Sequence, residues 1–156
     1  MARRVAFYGL SSELRRLPSR ILGSLDLYFI DEVLCAAYTA ADVKHAPQPD
    51  SLTPMISLEQ ALSSSSEVVF APRYKSIEDP DARIQEIRSH LEILLPFLKG
   101  KTVINALPVG YGENSQMEEF IATRIGSAPE YVYAPIEPGG SIRYIGVREG
   151  NSPKWL

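Results

Sequence analysis

KTVINALPVGYGENSQMEEFIATRIG, residues 101 to 126, holds the fold in miniature. Residues 101–106 form a near-continuous apolar run, as expected of a strand whose two sheet faces are both covered. Leu107 to Gly112 brings one proline and two glycines, a stiff turn with bare backbone. Beyond it Met117, Phe120, Ile121 and Ile125 recur at helical spacing, and Gly126 supplies the stop. Ser115 and Glu118 stand at capping-box spacing, which predicts the helix start at Ser115.

The same alternation extends to both sides. RVAFYG (4–9), LDLYFID (25–31), EVVFAP (67–72) and YVYAP (131–135) read as further strands. SIRYIGV (141–147) adds one more, whose direction the sequence leaves open. A helical stretch runs from about Ser12 to Leu22. In DPDARIQEIRSHLEILLPFLKG (79–100), Ile84, Ile87, Leu91, Leu94, Leu95 and Leu98 share one helix face. Asp79 is the expected N-cap, Pro80 suits the first turn, and Pro96 should kink or tighten the last one. The proline-rich stretch 44–54 and the serines at 63–66 read as loops. Strand and helix in alternation specify a parallel sheet with helices on both faces.

Composition sets the class. The chain has 156 residues, 45% apolar and 22% charged, enough for one domain with a proper core. Its net charge of −3 gives no broad reason to bind nucleic acid. No apolar run approaches the ~20 residues of a membrane span. The single cysteine, Cys35, excludes an internal disulfide framework and fits a reducing cytosol, so a cytoplasmic protein is expected. His45 and His90 lack partners at metal-ligand spacing.

Open α/β sheets bind ligands beyond the carboxyl ends of their strands. Four glycine- or proline-bearing loops are expected there: 9–12, 71–74, 106–112 and 135–140. Asp31 ends the second strand and follows Gly9 by 22 residues, the usual offset for an acid that accepts ribose hydroxyls of a dinucleotide. An acid there is equally an ordinary turn or cap residue. Arg15, Arg16 and Arg20 are phosphate contacts or a solvated helix face. Arg73, Tyr74 and Lys75 are an anion or nucleotide contact or a surface loop. Tyr111 is a ring over a bound base or a lid on the core.

VVFAPRYKSIEDPD, LPFLKGKTVINALPVGYG and YVYAPIEPGG together resemble the N-terminal, NAD-binding domain of the UDP-glucose/GDP-mannose (nucleotide-sugar) dehydrogenase family. The resemblance covers most of residues 4–140. Asn105 to Gly110 fits the family's Ser-Thr-Val-Pro-Pro-Gly motif in spacing, and Ala134-Pro135 fits the start of its Ser-Pro-Glu motif. It implies a Rossmann-like, doubly wound, mainly parallel sheet of about six strands in a single domain, residues 1–150. The remaining tail, 151–156, is expected to dock on the body or on a partner through Trp155 and Leu156. It also implies a cofactor, NAD or NADP, contacted by Gly9, Leu10, Ser11, Asp31, Ala71, Pro72, Arg73, Asn105, Ala106 and Leu107.

The departures bear on activity. The family's Gly-x-Gly-x-x-Gly loop lets a pyrophosphate approach backbone amides at a helix N-terminus. Here Gly9-Leu10-Ser11-Ser12-Glu13-Leu14 keeps only the first glycine. Ile136 stands where the family has a catalytic glutamate, and Cys35 lies too early in the chain to be its nucleophile. The family's catalytic cysteine and lysine and most of its nucleotide-sugar pocket come from a long central helix and a second domain, which a chain ending at Leu156 is expected to lack. Three functions follow: a nucleotide or dinucleotide binding module or partner subunit without catalysis of its own, possessing a nucleotide or nucleotide-sugar ligand and forming homo-oligomers; the NAD-binding half of a dehydrogenase completed by a separate catalytic chain; or an interaction protein with an empty crevice.

Overall fold

A computed structural model of the chain describes residues 4–9, 26–33, 35–39, 56–73, 79–135 and 145–147. The expected helix at 12–22, the stretch 44–54, residues 136–144 and the tail 151–156 lie outside them. Among these residues, eight strands make one sheet: β1 (Arg4–Tyr8), β2 (Asp26–Asp31), β3 (Ala36–Thr39), β4 (Ile56–Ser57), β5 (Glu67–Phe70), β6 (Thr102–Asn105), β7 (Glu130–Tyr133) and β8 (Gly146–Val147). Their order is β4-β3-β2-β1-β5-β6-β7-β8. The five central strands β2, β1, β5, β6 and β7 run parallel, while β3, β4 and β8 pair antiparallel at the margins.

The sheet therefore carries two strands beyond the six read from the sequence, β3 and β4. Neither has the β-branched run that announces a strand; β3 reads AAYT and β4 only IS. What makes β3 is the turn before it, where the Val33 amide donates to Asp31 Oδ1 at 2.9 Å and Cys35 adopts φ 49°. This side-chain-closed turn reverses the chain and lays Ala36 against Asp31.

Three helices are described: α1 (Leu58–Ser64), α2 (Pro80–Leu94) and α3 (Tyr111–Ile125). The serine run is thus no simple loop, because α1 takes in Ser63 and Ser64. Ser57 Oγ accepts from Gln60 N and Gln60 Oε1 accepts from Ser57 N, both at 3.1 Å, which is a full capping box. Ser64 and Ser65 then return their hydroxyls to the carbonyls of Gln60 and Ala61 at 2.6 and 2.7 Å. Asp79 caps α2 as expected, its Oδ1 accepting from Asp81 N at 3.0 Å. Pro96 tightens the end of that helix into a 3-10 turn, Leu95–Phe97. The start of α3 is corrected by one turn. Gly110 N donates to Glu113 at 2.8 Å, so the capping pair is Gly110–Glu113 and not Ser115–Glu118.

All three helices pack on one face of the sheet. Alternate strand residues serve opposite faces: Ala6, Tyr8, Ile30, Val68, Phe70 and Val103 join Leu62, Ile84, Ile87, Leu91, Met117 and Ile121 in one buried cluster. Val5, Phe7, Leu27, Phe29, Val69 and Ala71 form the second cluster on the other face. Each fully buried Leu, Ile or Phe contributes roughly 1.5–3 kcal/mol. No helix among the described residues is long and apolar enough to cross a membrane.

Candidate functional site

The parallel strands end level. Ile30, Tyr8, Phe70, Asn105 and Tyr133 are successive register partners across β2, β1, β5, β6 and β7. One residue later come Asp31, Gly9, Ala71, Ala106 and Ala134. Pairing continues into this row: Gly9 N donates to Ile30 O at 2.9 Å, Ala71 N to Tyr8 O at 2.8 Å, and Ala106 N and Ala134 N to Phe70 O and Asn105 O at 2.9 Å. The order in which strands are added reverses between β1 and β5: from β1 the chain goes to β2 on one side, and β5 to β7 follow on the other. Gly9, Asp31 and Ala71 to Arg73 therefore border the switch point, where an open α/β sheet offers its crevice. Leu10 and Ser11 lie outside the described residues.

Gly9 is required by its own fold. Its φ is +116°, and a Cβ there would stand 2.0 Å from the carbonyl oxygen of Ala71. Beside it the sequence reading missed Glu32, although the dipeptide Asp31-Glu32 at a strand end was its signal. Both acids are buried, with 6% and 5% of their surface exposed. Glu32 Oε1 accepts from Arg73 twice, from the backbone N at 2.9 Å and from Nε at 3.0 Å. Arg73 Nη2 also stands 4.0 Å from Asp31 Oδ2.

Burial works to raise the Glu32 pKa, but backbone hydrogen bonds and the Arg73 guanidinium outweigh it and hold the carboxyl below its ordinary 4.5. A depressed carboxyl contributes stability that is fully present above the unfolded value and is lost as pH falls through the folded one. Thermal unfolding followed from about pH 6 to about pH 3 should therefore show a steeper loss in the unaltered chain than in Glu32→Gln. Parallel curves would disprove the contribution.

Below this row, Tyr8 and His90 meet at 3.2 Å between the Tyr8 hydroxyl and His90 Nδ1. Burial raises the Tyr8 pKa and lowers that of His90, which favours the neutral form of both groups.

The loop after β6 answers to different partners. Asn105 is fully buried; its Oδ1 accepts from Leu107 N at 3.1 Å, and its Nδ2 donates to Asn114 Oδ1 at 2.9 Å. Tyr131 donates to the same Asn114 oxygen at 2.9 Å. Tyr133 donates to Val109 O at 2.7 Å, and Val109 N to Leu107 O at 2.9 Å. Glu113, which accepts from Gly110 N, is itself held by Arg83 Nε at 2.7 Å. Ala106 and Leu107 are buried as well. Asn105, Ala106 and Leu107 thus sit on the expected rim, but the structure spends their polar groups on shaping the turn. Gly9, Asp31, Glu32 and Arg73 gather at the switch point.

No protein-family model and no curated protein matches the chain. Solved structures do match. An imine reductase from Bacillus cereus superposes with a TM-score of 0.54 at 15% identity, over 87% of this chain and 41% of the other. A Streptomyces aurantiacus imine reductase gives 0.53 at 12% identity, over 85% and 40%. The fold is Rossmann-like. At these identities the likeness is one of fold, and the chain spans about two fifths of the length of the proteins it matches.

Proposed function

We propose that the chain is a dinucleotide-binding module, a Rossmann-like domain of oxidoreductase descent that takes NAD or NADP across the ends of β1 and β5. The observation that carries this reading is the level rim at the switch point, where Gly9, Asp31 and Arg73 meet. Two of the residues present fit the group. Gly9 makes the tight turn after β1, and Asp31 ends β2 where a ribose acceptor belongs. When bound, such a dinucleotide supplies a hydride acceptor or donor; the chain's own residues bind and orient it.

The resemblance of the sequence to nucleotide-sugar dehydrogenases narrows the proposal. It makes a nucleotide or nucleotide-sugar the competing ligand. It also makes the chain a partner subunit, acting beside a second copy or a separate catalytic chain and without catalysis of its own. A second reading, an interaction protein with an empty crevice, draws support from the loop after β6. There Leu107, Val109 and Gly110 all spend their amides on internal acceptors, and Glu113 fills the start of α3.

Thermal unfolding with NAD, NADP, UDP-glucose and nucleoside monophosphates separates these readings. A ligand at 100 times its dissociation constant stabilises by about 2.7 kcal/mol, a shift on the order of 5–10 °C for a domain of this size. A dinucleotide should produce it, and Asp31→Ala should remove it. A flat response to both dinucleotides overturns the proposal, and a response to UDP-glucose alone transfers the site to a nucleotide-sugar.

A further inference from the structure

Resting on the dinucleotide reading above, we infer that Arg73 is the side chain that contacts the adenine-bearing end of the ligand, and that Glu32 is the positioning residue that sets it there. Arg73 stands three residues past the end of β5, one of the two strands that flank the switch point. Its side chain is 53% exposed, whereas that of Glu32 is 1% exposed. The buried carboxylate grips Arg73 at two points, the main-chain amide and Nε. With both ends of the stem held, the guanidinium plane is set by the sheet and not by solvent.

A fixed planar cation at a ligand rim suits a flat aromatic ring. Guanidinium groups stack on such rings, and their orientation matters more than their charge alone. Nη2 lies 4.0 Å from Asp31 Oδ2, so the plane is within one group's width of the expected ribose acceptor. Val33, in the same turn and hydrogen-bonded through its amide to Asp31, is 76% exposed. An aliphatic surface and a guanidinium plane beside one ribose position are what a purine uses: a hydrophobic contact and a cation over its face.

Isothermal titration of the full chain with NAD and ADP-ribose tests this. Arg73→Lys keeps the charge but loses the planar fork and the Nε anchor, and should weaken both ligands about tenfold. Glu32→Gln should do the same. In an Arg73→Ala background, Glu32→Gln should cost nothing further, since a residue that acts through another has no effect once that other is gone. Equal losses with and without Arg73 would assign Glu32 a structural role and overturn its positioning one. Should Glu32→Gln fail to fold, Arg73→Lys decides the contact on its own. Arg73→Lys and Arg73→Ala both binding at unchanged affinity would overturn the inference and leave the dinucleotide reading standing. Failure of the unaltered chain to bind NAD, NADP and ADP-ribose would overturn both.

Discussion

Gly9→Ala should destabilise the ligand-free protein by about 3 kcal/mol or more, the sum of a left-handed backbone that L-residues resist and an overpacked contact. The added Cβ would meet Ala71 O at 2.0 Å and Ala71 C at 2.5 Å. These are backbone atoms and cannot rotate away. Nor can β5 retreat easily, because Ala71 N is tied to Tyr8 O at 2.8 Å. Urea unfolding without nucleotide measures the loss. A cost below about 1 kcal/mol would mean that the rim yields, and that this glycine matters for a ligand and not for the fold.

Phe70→Ala should cost about 3–5 kcal/mol, the range for emptying a large buried aromatic site. Phe70 has no exposed surface and stacks on Tyr8, with ring centroids 5.8 Å apart and planes 4° from parallel. The cavity would open beneath the residues that carry Ala71, Pro72 and Arg73, and beside the Tyr8–His90 bond. Phe70→Leu, which leaves a smaller void, should cost less. The same urea titration checks both, and a loss under about 1.5 kcal/mol for the alanine would show that helix α2 can settle into the gap.

How far the sequence spoke for this fold depended on which forces shaped each element. The central strands were legible because burial on both faces demands continuous apolar residues, as in EVVF and TVIN. Helix α2 was legible because its apolar spacing, Asp79 cap and Pro80 agree. Strand β3 was not, since a turn closed by Asp31 makes it, and AAYT has little propensity of its own. Helix α1 hid behind serines that bond back to its carbonyls, although Ser57 and Gln60 were already at capping-box spacing. At the site, the gathering of Gly9, Asp31 and Arg73 at one rim followed from strand–loop alternation. Glu32 did not: its role arises from residue 73, 41 positions away in sequence and brought near only by the order of strands. The inward turn of Asn105 was hidden for the same reason, since Asn114 and Tyr131 are neighbours only across the fold.

The hydrogen-bonded row one residue past the strand ends has a consequence for recognition. Gly9, Ala71, Ala106 and Ala134 have already given up their conformational freedom to the sheet. A small molecule landing on these four residues would find little disorder left to quench in them, so more of the free energy of each contact would appear as affinity.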